Sequence, residues 1–71
     1  MDMRGLFYRS MENKEKIMIF YVDRKNNVTQ RYIRVMSIHD NYLTAYCYWR
    51  KQVRHFKLDH ILSAGSVKRT A

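Results

Sequence analysis

The sequence predicts a mainly β domain: a small antiparallel sheet or barrel of five strands behind a short N-terminal α-helix. Three observations carry this prediction. Turn-forming residues recur at close, even spacing from residue 23 onward, and runs rich in β-branched and aromatic residues lie between them. The chain also contains no proline, so every strand residue can donate to a ladder. Turns this close leave no room for βαβ crossovers. With 71 residues there is one domain, 1–71, whose folding buries roughly 60% of the surface of the unfolded chain.

The elements follow in order. Met3, Leu6, Phe7 and Met11 recur on one helical face, which predicts a helix over about 3–12, with Asp2 placed to cap it or to favour its positive end. The polar stretch Glu12 to Lys16 ends it, and the β-rich region runs over about 16–67. Ile17 to Val22 is the first strand, closed by Asp23-Arg24-Lys25-Asn26-Asn27, where Asn tolerates left-handed backbone. Val28 to Ile38 is the second, ending at the hairpin dipeptide Asp40-Asn41. Tyr42 to Trp49 is the third, Arg50 to Gln52 a turn, and Val53 to Leu58 the fourth. A fifth runs from about Ile61 to Val67, interrupted by Gly65.

Fourteen Lys and Arg stand against six Asp and Glu, a net charge of +8 that points to an anionic partner. Its distribution is uneven. Residues 1–23 hold four bases and four acids, whereas residues 24–58 hold eight bases against the single acid Asp40, a net +7. Such concentration favours a basic patch over uniform solubilising charge. The sole cysteine, Cys47, has no internal disulfide partner, and no apolar run reaches signal-peptide or membrane-spanning length. The reading is a cytoplasmic protein with no membrane association.

Enzyme chemistry finds little support. Ser10, Ser37, Ser63 and Ser66 sit in no nucleophile-elbow context, and Gly5 and Gly65 make no phosphate loop. His39, Cys47, His55, Asp59 and His60 match no zinc spacing, so no metal or other cofactor is expected. Binding is better supported. Arg31, Arg34, Arg54 and Lys57 interrupt β-runs and must occupy a sheet surface, and four such residues on two strands make a coherent patch. In the third strand Tyr42, Thr44, Tyr46 and Tyr48 alternate with Leu43, Ala45, Cys47 and Trp49. One set is core. The other is a tyrosine row that either stacks unpaired bases or fills the margin of a small core with its hydroxyls in water.

The stretch Tyr42-Leu43-Thr44-Ala45-Tyr46-Cys47, followed by Arg54-His55-Phe56-Lys57-Leu58-Asp59-His60-Ile61, resembles the WYL domain, with Ile19-Phe20-Tyr21 and Val28 to Val35 similar to its opening strands. The resemblance spans roughly residues 6–67. It implies an Sm-like, SH3-type barrel acting as a ligand- or nucleic-acid-sensing module, found commonly in bacterial transcription regulators behind a helix-turn-helix and in some CRISPR accessory proteins. No helix-turn-helix stands ahead of it here. The expected ligand is therefore single-stranded nucleic acid or a nucleotide-like molecule, and another protein, either a regulator or a second copy of the chain, is the alternative. The residues expected to bind are Arg31, Arg34, Arg54 and Lys57 at phosphates, Tyr42 and Tyr46 at bases, and His60 as a pH-sensitive neighbour. Asn41 stands where the family has its Trp, Val35 where it has Pro, and Lys57 and His60 where it has Arg, which alters recognition because neither offers a guanidinium fork.

Overall fold

The apolar spacing of the first segment does form a helix. In the computed structural model, which describes residues 3–67, α1 spans Arg4–Asn13. It turns Phe7 and Ser10 fully inward and lays Met3, Leu6 and Met11 against the core. Asp2 lies outside the described residues, and the N-cap position, Met3, makes no side-chain cap. The helix ends where Lys14 takes a left-handed conformation (φ 55°) and returns its N–H to the Ser10 carbonyl.

Five strands follow: β1 (Ile17–Val22), β2 (Val28–Ile38), β3 (Tyr42–Cys47), β4 (Gln52–Lys57) and β5 (Ile61–Ser66). All neighbours are antiparallel, in the spatial order β4-β3-β2-β1-β5. The β1–β2 hairpin closes through Asp23, whose carboxylate accepts from the Lys25 and Asn27 N–H groups while Asn26 takes φ 67°. The β2–β3 turn closes through His39 N–H to the Tyr42 carbonyl.

Three boundaries differ from the sequence reading. β3 stops at Cys47, because Tyr48 to Lys51 form the turn to β4 with Lys51 at φ 55°. Trp49 therefore leaves the core side of its strand and stands 63% exposed. Gly65 does not interrupt β5; it sits in register opposite Met18. Leu58, read from the sequence as the last residue of the fourth strand, instead opens a 3₁₀ turn, Leu58–His60, that joins β4 to β5.

That turn carries the chain across the end of the sheet, so β4 and β5 become its two edges. No β4–β5 ladder closes a hydrogen-bonded barrel among the described residues. The two sides meet through side chains instead. The Tyr21 ring on β1 packs edge-on against Phe56 on β4 at 5.1 Å between centroids, and its hydroxyl accepts the Lys57 N–H at 3.1 Å.

One face of the sheet is the core: Ile17 and Ile19, Ile33 and Val35, Leu43, Ala45 and Cys47, Phe56, and Ile61, with Phe7 from the helix. Ser10 ties the helix to this sheet. Its hydroxyl donates to the Glu15 carbonyl at 2.6 Å and accepts the Val35 N–H at 3.0 Å, next to the point where Met36 is bulged out of the β2–β3 register. Replacing Ser10 by Ala leaves a buried N–H without a partner and should cost about 1–3 kcal/mol, read as a lower midpoint in urea denaturation. Lys14→Gly should act in the opposite direction by about 1 kcal/mol, since glycine holds the left-handed cap without a Cβ penalty.

Candidate ligand-binding mouth and the placement of the basic residues

Alternation along β2 decides the fate of the basic residues. Arg31 has the parity of Ile33 and Val35, so it enters the core face, and only 8% of it is exposed. Arg34 lies on the other face, where it is half-buried and pairs in register with Tyr46. On β4, Arg54 shares the side of Phe56 and is exposed, in register with buried Ala45. Lys57 falls on the outer side opposite Tyr42. The four cations named from the sequence thus do not form one patch; the strand pleat sends two to each face.

Arg31 is the unusual member. Its guanidinium carbon lies 5.6 Å from the Tyr21 ring centroid, 5.7 Å from Trp49 and 5.9 Å from Phe56. Its Nε donates to Thr29 Oγ1 at 3.1 Å. Three rings and one hydroxyl are its surroundings. The ion pair found among the described residues, Arg9 with Glu15, is elsewhere, and no carboxylate pairs with Arg31. No fully buried side-chain nitrogen or oxygen lacks a hydrogen-bond partner among the described residues. The two terminal NH₂ groups of Arg31, which have none, therefore keep an opening to solvent.

That opening is ringed by further cationic and flat groups. Trp49 has two guanidinium neighbours, Arg31 at 5.7 Å and Arg50 at 4.6 Å from its ring. His60, on the 3₁₀ turn, places its ring 5.9 Å from Tyr21. Tyr21 is thus the hub of the mouth, touching Arg31, Phe56 and His60 with its ring and Lys57 through its hydroxyl. A cation nine-tenths buried, bordered by aromatic faces and without a carboxylate partner among the described residues carries a desolvation cost that a neutralising group would relieve. Of the residues named from sequence, Arg31 and His60 belong to this mouth.

Tyr42 and Tyr46 lie on the outer face instead, both half-buried. Tyr42 is stacked with His39 at 4.3 Å and meets His55 edge-on at 5.2 Å. Tyr46 meets Tyr48 edge-on at 5.1 Å.

Sequence reasoning missed Tyr21, Thr29, Trp49, Arg50 and Phe56. A signal for part of this set was present in the strand parity: Arg31 keeps step with two core aliphatics, so its neighbours had to be sought on the core side. No three His, Cys, Asp or Glu residues gather in a metal-holding cluster among the described residues, and no helix there is long and apolar enough to cross a membrane.

The fold is similar to that of proteasome accessory factor B/C of Arthrobacter aurescens, with a TM-score of 0.77 and 22% sequence identity. That alignment covers 93% of this chain and 11% of the longer protein. No curated protein sequence matches this chain closely enough to count as a relative. Residues 5–65 match the WYL domain, the region that holds most of the helix, all of β1 to β4, the Arg31 mouth and most of β5. The chain belongs to the WYL domain family, a non-catalytic family of regulatory modules.

Proposed function

We propose that this WYL domain is a regulatory module that binds a nucleotide-type anion in the mouth around Arg31. The ligand is either a free nucleotide-like molecule or the phosphate of single-stranded nucleic acid. The two share one chemistry, a phosphate beside a flat base. Arg31 takes the phosphate through its two unpartnered NH₂ groups, and Trp49 offers an exposed ring for the base. Arg50 adds positive potential, and His60 borders the site. The observation that carries this reading is Arg31 itself: an aliphatic residue at its place would complete the core row, and a cation there without a carboxylate does little for stability.

Trp49 is the only tryptophan of the chain and lies at the mouth, so its fluorescence reports occupancy. Titration with nucleoside monophosphates and, separately, with short single-stranded oligonucleotides should quench it, and the arm that saturates first identifies the source of the phosphate. Arg31→Lys, which keeps the charge but loses the fork, should weaken binding by about tenfold or more. Arg31→Met should abolish binding while leaving stability within about 1 kcal/mol of the parent, because losing the ring contacts offsets removal of an unpaired charge. Absence of quenching in both arms, or an Arg31→Met protein that no longer folds, would refute the reading.

A second reading, self-assembly or docking on a regulator protein, is favoured by one feature. The free edge of β5 carries neither Lys nor Pro, and Leu62 on it is 56% exposed. Beside it a groove of about 620 Å³ opens between β5 and α1, bordered by Met3, Leu6 and Arg9. Light scattering discriminates the two: a dimer whose mass holds from low to high salt supports assembly, and a monomer throughout removes it.

A further inference from the structure

The groove between α1 and β5 has features that the mouth does not explain. Leu62 to Ser66, residues of both parities, border it, so it runs along the free edge of β5 instead of over one face of the sheet. No strand pairs with that edge among the described residues, and alternate residues of β5 turn their N–H and C=O groups toward it. Between Phe20 and Tyr21 the register passes from Ser63 to Ile61, so Leu62 is bulged out of the ladder and borders the groove. The opposite wall is helical. Met3 and Leu6 supply apolar surface, and Gly5 leaves a gap, since a Cβ there would meet nothing within 4 Å. Glycine costs a helix stability, and here it keeps the wall open. At Arg9 and Ser66 the groove runs into a second cleft of about 540 Å³ beyond the helix C-terminus, bordered also by Lys14, Lys16 and Tyr48. Three bases stand there against Glu15, which pairs with Arg9, so Lys14 and Lys16 have no carboxylate partner among the described residues.

We infer that this groove takes an extended segment of a partner protein as a sixth strand on β5, with an apolar side chain against Met3, Leu6 and Leu62 and an acidic one beside Lys14 and Lys16. The inference deepens the docking reading of the β5 edge, on which it rests, and is independent of the Arg31 mouth. In such strand addition the edge backbone supplies affinity and the side-chain sites supply selectivity. Direction follows from the sheet. Every neighbouring pair is antiparallel, and Ser66, opposite Ile17, marks the basic end of the groove. An antiparallel guest therefore carries its acid first and its apolar residue a few positions later. A second copy of this chain does not offer that pattern: none of β1 to β5 contains Asp or Glu, so strand exchange would bring no carboxylate to the lysines. The other free edge, β4, is guarded by exposed Arg54 and Lys57, whereas β5 has no charged residue to repel a guest.

The test is fluorescence anisotropy of a fluorescein-labelled peptide, Asp-Glu-Thr-Thr-Val-Thr-Leu-Val, titrated with the whole chain, beside its neutral form with Asn and Gln for the two acids. The acidic peptide should bind saturably and about fivefold or more tightly than the neutral one, and the double variant Lys14→Glu/Lys16→Glu should remove that preference. Gly5→Phe fills the groove from the helix wall without a clash at Cβ, so it should weaken both peptides about tenfold or more at an unchanged unfolding midpoint. Leu62→Asp, at an exposed position, should weaken both as well. A strand offers only one edge to β5, so N-methylation at alternate amides of the peptide should abolish binding in one phase and spare it in the other. Equal binding of the two methylated forms overturns strand addition. Equal binding of the acidic and neutral peptides overturns the acidic partner but leaves the docking reading, whereas no binding of either peptide by a monomeric chain overturns both. A dimer stable from low to high salt overturns the inference and assigns the edge to a second copy.

Discussion

The pleat of β2 governs where this molecule places its cations. Eleven residues long, the strand crosses the middle of the sheet, and its side chains must alternate between a dry face and a wet one. Arg31 and Arg34, three positions apart, therefore cannot act together. One is driven into the core row beyond Ile33, and the other stays on the outside with Tyr46. Pairing a charge with a hydrophobic row is unfavourable unless the charge is neutralised or softened, and here rings do the softening. Tyr21, Trp49 and Phe56 reach Arg31 from β1, the β3–β4 turn and β4. The sheet pairing that places those three elements thus also walls in one inward guanidinium.

Tyr21 is how the sheet meets that need without a continuous ladder. A sheet whose edges do not pair has to bring them together by side-chain contact, and the Tyr21–Phe56 pair, with the hydroxyl on the Lys57 N–H, spans that gap. An edge-on ring pair adds about 0.5–1.5 kcal/mol beyond its buried area, and a net hydrogen bond adds about 1 kcal/mol. The same ring also walls Arg31 and touches His60. Closing the sheet and shaping the mouth are thus one act by one side chain. At the helix end Ser10 does a comparable job with a single hydroxyl, joining α1, the connector and β2.

Much of this was legible in the sequence, and the failures have physical causes. β1 and β2 are bounded by strong turn signals, Asp23 to Asn27 and Asp40-Asn41, and their limits follow from those residues alone. The two faces of β3 follow from its alternation, with Leu43, Ala45 and Cys47 dry and the tyrosines half-wet. Trp49 was misplaced because its hydrophobicity extends the apolar run past the point where Lys51 turns the backbone. The break at Asp59-His60 was legible, but its helical form was not, because Leu58 packs on the core and reads as the last strand residue when it opens the 3₁₀ turn. The basic patch failed for a different reason. Residue type says that an arginine prefers water, whereas parity with Ile33 says inward, and at Arg31 parity wins because strand register is fixed by many neighbours at once. His60 joined the mouth by the 3₁₀ turn, a feature that no alternation rule exposes.

A sheet in a chain this short has one core face to spend its aliphatics on, and the reverse face must be compatible with water. Tyrosine meets that requirement with a ring that covers backbone and a hydroxyl that stays hydrated, so tyrosines alone would make the outer face merely soluble. What distinguishes this face is the company the rings keep. On an ordinary exposed sheet, charges of both signs are interspersed and cross-strand opposites pair. Here the outward positions of β2 and β4 carry Arg34 and Lys57 and no acid, while Glu15, beside Lys16 in the connector, is drawn to Arg9. The inward cation shows the same one-sidedness at closer range: Arg31 is nine-tenths buried among three rings, and no carboxylate of the described residues pairs with it.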